Sequence, residues 1–392
     1  MAVVLLFVLT GCSLNQQEIF NAALKTQDVN SKQAHTELTF HLSGSGFNSD
    51  AQQQVDNALM LLNNTTLSFD TKVKGNEDKT VAQAQVIMNV ATPQMNLNVP
   101  IWVDSDLTET TPKLTEIIKL PQIAKASLPE QFQNKDYMVL TPLTMKDPTG
   151  NTLDMTKFLE FSKTLRTKEI SFLESYAKQF NPNFDTVSSS SEYLTTDDGS
   201  KLVSRYEIRL DDKQLKDLIR YTVNNFVQNK EALAFVKDFM DFSLQMSQTP
   251  DKEKNLAAFD QAFAQFDEDK QADFLAGFNN VMDQLQGVRI LGDKGLDLQY
   301  YLYNGYLIKE SGVINLNLDL AKMSQFMQAL KVNGQQSSPV EPEGTLDMLI
   351  NFNTDVTGIN APVDISFPEL DKTNSFNMTE MTDLLGKGVK KD

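Results

Sequence analysis

The chain has 392 residues, with 52 acidic and 35 basic side chains and a formal net charge of −17. So acidic a balance lacks the basic footprint of a nucleic-acid binder and disfavours flat adhesion to anionic head groups; its ordinary effect is to keep a protein dispersed. The length is ample for an ordinary hydrophobic core.

Ala2 to Leu9 form an unbroken apolar run, followed at once by Leu9-Thr10-Gly11-Cys12 and then by the polar stretch Ser13 to Glu18. A short apolar segment ending in small residues is the pattern of an export signal, and it falls well below the roughly 20 residues that cross a bilayer. Leu-Thr-Gly-Cys resembles the bacterial lipobox, which implies cleavage after residue 11 and a lipid on Cys12. No Lys or Arg lies between Met1 and Cys12, so the start of the signal is expected upstream. Cys12 is the one Cys in the chain. Its acylation leaves no thiol for a disulfide, a thiolate nucleophile or a Cys-ligated metal.

Residues 13 to 30 carry an apolar stripe, Ile19, Phe20, Ala23 and Leu24, at helical spacing. The period then drops to two. In 36–47, Leu38, Phe40 and Leu42 share one face while Glu37, Thr39 and His41 share the other, as in a half-buried strand. Residues 51 to 62, with Val55, Leu59 and Leu62, read as a short helical or loop insertion. Alternating strands follow over 66–74, 79–90, 95–103 and 137–140, with Pro100 marking an edge or a bulge. From 151 to 180, Phe158, Phe161, Leu165, Phe172, Leu173, Tyr176 and Phe180 predict a helix that Asn181-Pro182 stops. Residues 192–196 and 201–210 read as a hairpin around Asp198-Gly199. Asp211 is a cap for helices reaching to 246, and Thr249-Pro250 opens one Phe-rich helix ending near Gly287. Strands return over 295–303 and 306–320, joined by Asn304-Gly305, the strongest two-residue hairpin signal. A helix over 323–330, a loop over 333–344 and a last strand pair over 345–357 and 361–367 complete the order.

Strands in meanders and helices in blocks predict an α+β fold: one large curved antiparallel sheet, a half-barrel, with helices packed on its concave face. The expected organisation is a signal peptide over 1–11, a domain over 12–370 with helical insertions near 151–180 and 211–286, and a flexible tail over 371–392.

Phe20-Asn21-Ala22-Ala23-Leu24-Lys25 with Gln27-Asp28-Val29, leading into 36–46, resembles the opening of the LolA/LppX-like exported lipoproteins. Gly305 to Glu310 with Val313 to Leu320 is similar to their late strand pair, and Thr354 to Pro368 to their closing strand. Segments 137–140, 158–165 and 217–227 resemble a clostridial-type surface lipoprotein of that group. The resemblance implies a curved half-barrel whose helix-covered concave face encloses an apolar cavity for lipid-like molecules. It also favours a one-membrane, Gram-positive-type envelope.

No pattern of catalysis survives inspection. His35 and His41, the only histidines, would share a strand face roughly 20 Å apart, too far to share a metal. Ser175-Tyr176-Ala177-Lys178 matches SxxK but lacks its partner motifs. The acidic pairs Asp104/Asp106, Asp197/Asp198, Asp211/Asp212 and Glu268/Asp269 fit turns and caps, and none has EF-hand spacing. Trp102 beside Asp104 could line a pocket mouth, although an ordinary strand position explains it as well. The 24 Phe and 15 Met suit an adaptable apolar site or a plain core. The expectation is therefore a membrane-anchored extracytoplasmic lipoprotein, not an enzyme. It would need no metal or cofactor, make no contact with nucleic acid, and bind a hydrophobic or lipid-like ligand between sheet and helices. The alternative is a structural or protein-interaction component of the cell envelope with no small-molecule ligand.

Overall fold

A computed structural model describes residues 14–108, 112–141, 164–165, 167–173, 175–176, 179–182, 187–196, 199–246, 251–329 and 343–388. Cys12, Asp197, Asp198, Lys178 and most of the helix expected over 151–180 lie outside the described residues.

Helix α1 (Leu14–Gln27) leads into β1 (Ser31–Ser45), α2 (Ser49–Asn63) and the strands β2 (Thr66–Gly75), β3 (Val81–Ala91), β4 (Asn96–Asp106) and β5 (Lys113–Lys119). The short α3 (Gln122–Lys125) precedes β6 (Tyr137–Leu140), and the hairpin β7 (Val187–Thr196) and β8 (Gly199–Leu210) follows later. Four helices come next: α4 (Asp212–Gln228), α5 (Lys230–Met246), α6 (Lys252–Ala264) and α7 (Glu268–Leu285). Then come β9 (Leu291–Tyr303), β10 (Tyr306–Asp319), α8 (Leu320–Ala329), β11 (Thr345–Thr357), β12 (Ser375–Asn377) and α9 (Met378–Gly388).

The strands form one open sheet in the order β12-β6-β5-β4-β3-β2-β1-β11-β10-β9-β8-β7. The fold is α+β, as the meander pattern implies: successive strands from β2 to β6 and from β7 to β10 pair antiparallel, and β12 pairs in parallel with β6. Contacts divide the chain into two compact units: one drawn from residues 1–25, 39–63 and 160–352, the other from 26–38, 64–159 and 353–392.

Four local expectations are corrected. Residues 361–367 form no strand: Pro362 and Pro368 lack the backbone N–H that a ladder requires, and the segment instead packs Val363, Ile365 and Phe367 against Trp102 and Ile117. The segment after 371, expected as a flexible tail, supplies β12 and α9. β12 pairs in parallel with β6, and an Asp371 turn that accepts from Thr373 N, Asn374 N and the Thr373 hydroxyl sets its start. The Phe-rich stretch is two helices, not one, because Asp267 caps a new start by accepting from Lys270 N at 3.1 Å. Strand β5 was missed in the sequence, its short run being flanked by Pro112 and Pro121.

In the first unit the inner sheet face is filled. Ile208, Leu210, Leu296, Leu298, Tyr300 and Leu302 meet Ile19, Phe20 and Ala22 of α1, Leu218 of α4, Ala232 of α5 and the buried Phe172, Tyr176 and Phe180. The Phe-rich α6 and α7 stand further out: α6 has no buried residue and Phe274 is exposed.

Strand β9 bulges there. Ile314 faces Leu296 while Leu316 faces Leu291, so four residues of β9 loop out against one of β10. Asn315 fills the loop, accepting from Lys294 N at 3.1 Å and donating to Asp347 and to Met348 O. Gly295 turns the chain at φ +61, and a Cβ there would sit 2.3 Å from Leu210 O. Gly295→Ala is expected to cost at least ~1 kcal/mol from the left-handed backbone alone, more with the clash. Urea denaturation reads this directly, and unchanged stability would show that the bulge relaxes freely.

Candidate ligand-binding face

In the second unit, cross-strand register sorts side chains onto two faces. Leu67 faces Val90, which faces Leu97; Phe69 faces Met88, which faces Val99. Thr71, Val86, Ile101, Ile118 and Met138 form a third row, and Val73, Ala84, Val103, Glu116 and Leu140 a fourth. This face is almost wholly apolar, yet only Val99 is buried; the other side chains in these rows stay partly exposed.

The opposite face is different at its two ends. At one end Trp102, 7% exposed, and Ile117 form a closed cluster under Ile365, with the Trp102 and Tyr137 rings edge-on at 6.3 Å. Trp102 is therefore core and lines no pocket mouth. Towards β1 the face is polar: His35 Nδ1 meets Asp70 at 2.7 Å, Asn89 donates to Ser68 at 3.3 Å, and Asn98 donates to Asn89 at 2.6 Å.

The His35–Asp70 contact also orients β1. Asp70 alternates with Phe69, so His35 lies on the polar face, and alternation puts Lys32, Ala34, Thr36 and Leu38 on the apolar one. The Thr36 and Thr354 hydroxyls share a hydrogen bond at 3.0 Å. Neighbouring residues carry two lysines. Lys32 Nζ donates to Thr26 O at 3.0 Å, and Lys79 Nζ donates to Val29 O at 2.9 Å and to Asn30 Oδ1 at 2.7 Å. Burial, then the nearby Lys79 charge, holds the Lys32 ammonium below the usual lysine range.

The first unit holds a buried polar row that the sequence did not disclose. Tyr206, Tyr300 and Glu310 are cross-strand neighbours on β8, β9 and β10, among side chains of the main core. The Tyr206 hydroxyl donates to Glu18 of α1, and its own proton is held up to about 12 by burial and then by that carboxylate. Glu310 Oε1 is buried without a hydrogen-bond partner, and burial raises its carboxyl to about 7. Tyr300 is raised well above 10 by burial and then by Glu310.

The other residues singled out in the sequence are dispersed. His41 is exposed. The Ser175 hydroxyl donates to Glu231 at 2.6 Å and to Phe172 O at 3.1 Å, a helix-packing role. Asp104 accepts from Gln83 and Asp106 from Thr108. Asp211 is a helix cap with a reciprocal bond from its own N–H to Gln214, and Asp212 bonds Lys216. Glu268 and Asp269 sit in the first turn of α7, where carboxylates suit the helix dipole. Among the described residues no group of three or more His, Cys, Asp or Glu could hold a metal ion. No described helix is long and apolar enough to cross a membrane.

By class, the chain is an α+β protein built on a twelve-stranded open sheet with one filled and one partly open apolar face. Comparisons with protein-family models, curated proteins and solved structures return no match.

Proposed function

We propose that this chain is an extracytoplasmic lipoprotein, anchored through Cys12 to the membrane of a Gram-positive-type envelope, that binds a hydrophobic, lipid-like ligand. The sheet side of the site is the apolar face of β2 to β6. The observation that carries the reading is the contrast between the two faces of those strands. One closes over Trp102, while the other presents Leu67, Phe69, Val86, Met88 and Ile101 as contiguous, partly exposed apolar surface. Contiguous apolar surface of this kind marks a ligand or partner site. Covering about ten methylenes of an acyl chain contributes roughly 8 kcal/mol before ordering costs, so affinities no tighter than about 1 μM are expected.

Native mass spectrometry with lipid extraction of the chain purified from a bacterial host tests this. A co-purifying acyl lipid is expected, and Met88→Asp is expected to weaken uptake of a fluorescent apolar probe about tenfold or more, since an unpaired charge then faces the chain. A lipid-free protein that takes up no probe overturns the reading. It would favour the alternative, an envelope interaction protein without a ligand, for which the filled core of the first unit speaks.

A further inference from the structure

Several lysines of this acidic chain have carboxylate partners: Lys125, Lys168, Lys213, Lys216, Lys237, Lys270 and Lys322 each meet one within 4.0 Å. Lys32 and Lys79 do not. Their acceptors among the described residues are the neutral oxygens of Thr26, Val29 and Asn30, which occupy one of three ammonium donors on Lys32 and two of three on Lys79. The two charges are close enough that Lys79 disfavours protonation of Lys32, and both lysines are partly buried. Lys79 is also held at φ 55, a left-handed backbone that few residues other than Gly, Asn and Asp adopt. Two like charges are thus gathered where solvent is reduced, with hydrogen-bond donors to spare and no carboxylate bonded to either among the described residues.

Their position adds meaning. Lys32 shares the apolar face with Ala34, Thr36 and Leu38, at the end of the sheet where β1 begins. Lys79 lies in the β2–β3 turn at that same end, pinned to residues 29 and 30. Capping the last carbonyls of α1 explains the Thr26 bond but not a second, carboxylate-free lysine beside it.

We propose that Lys32 and Lys79 bind the anionic head, carboxylate or phosphate, of an amphiphile whose acyl chain lies along the apolar face of β2 to β4. The inference rests on the apolar-ligand reading and narrows it to anionic amphiphiles. An anion would take up the spare donors with charge-assisted hydrogen bonds and relieve the repulsion between the ammonium groups.

The test is equilibrium binding of hexadecanoate, hexadecyl phosphate and hexadecanol to the full chain, by displacement of a fluorescent apolar probe. It is repeated on the Lys32→Gln/Lys79→Gln double variant. The native chain is expected to bind both anions about tenfold or more tighter than the alcohol, and the double variant to lose that preference while keeping alcohol affinity. Equal affinity for all three in the native chain, or a preference that survives the double variant, overturns the inference and leaves the apolar-ligand reading standing. Displacement by none of the three overturns that reading, and this inference with it. If the double variant binds nothing, Lys32→Arg/Lys79→Arg decides: retained anion preference supports the pair, and lost preference overturns it. Inorganic phosphate that competes as well as hexadecyl phosphate would mark a free-anion site and overturn the amphiphile assignment.

Discussion

Asp212→Ala is expected to cost the first unit about 3–5 kcal/mol. Asp212 ties the start of α4 to the start of β9. One carboxylate oxygen accepts from Lys216 Nζ at 2.5 Å; the other accepts from Ile290 N at 2.7 Å and Leu291 N at 2.8 Å, where the chain enters β9. Lys216 is 1% exposed and also donates to Val288 O at 2.7 Å. Removing the carboxylate leaves a buried ammonium without its counter-ion and two backbone N–H groups without acceptors, and each carries its desolvation cost. Burial pushes the Asp212 carboxyl up, but the bonds from Lys216, Leu291 and Ile290 outweigh it and hold the group below its ordinary 3.8. A depressed carboxyl stabilises the fold above that value and loses its contribution as pH falls through the folded pKa. Urea denaturation at pH 7 checks the magnitude. A loss under 1 kcal/mol would mean that water replaces all three bonds and that the latch is dispensable. Lys216→Met, which fills the space without the charge, is expected to cost less than Asp212→Ala, because the Asp212 carboxylate it leaves behind is partly exposed and keeps its bonds from Ile290 N and Leu291 N.

Glu310→Gln is expected to do the opposite, and only at higher pH. Burial raises the Glu310 carboxyl from its ordinary 4.5 to about 7. Below 4.5 the group is neutral in both folded and unfolded chains and imposes no pH-dependent penalty. Between 4.5 and about 7 the folded chain keeps a proton that the unfolded chain has released, so stability falls as pH rises across that window. Above it the penalty is constant, on the order of 3 kcal/mol at about 1.4 kcal/mol per pH unit. The amide stays neutral throughout, so the variant should gain about that much over the native chain at pH 8 and little at pH 5. Paired denaturation curves at the two values decide it. An equal change at both would show that Glu310 reaches solvent in the folded chain.

Both residues illustrate what was hidden in the sequence. Asp211/Asp212 was read as a cap, which Asp211 is. The role of Asp212 depends on Ile290 and Leu291, some 78 residues away, and helical spacing carries no trace of that contact. Glu310 looks like an ordinary polar strand residue until the register sets it opposite Tyr300 on the core side. Lys32 was unremarkable for the same reason: its face was set only once His35 met Asp70.

Local chemistry was legible. Alternation in 66–74 and 79–90 marked β2 and β3 with their apolar faces, because a pleated strand sends successive side chains to opposite sides. Asn304-Gly305 marked its hairpin because both residues take positive φ there, 53° and 74°. Asp211 marked the start of α4 because its side chain satisfies an otherwise orphaned N–H. Where chain chemistry failed, it failed through partners distant in sequence. Proline removed a strand at 361–367, and three residues past 371 found an edge at β6. The Phe-rich helices, the obvious candidates to line a cavity, ended up outside a core already filled by α1, α4 and α5.

The sequence by itself thus determined the α+β class, the hairpins at Gly199 and Gly305, the cap at Asp211 and the apolar faces of strands such as β2 and β3, since those follow from periods of two and 3.6 and from turn chemistry within a few residues. The tertiary structure alone decided which apolar face is closed and which stays partly open, and which charges are buried or left without a counter-ion. Those outcomes depend on register and packing between segments far apart in the chain, and burial sets the cost of a charge only once its surroundings have been assembled.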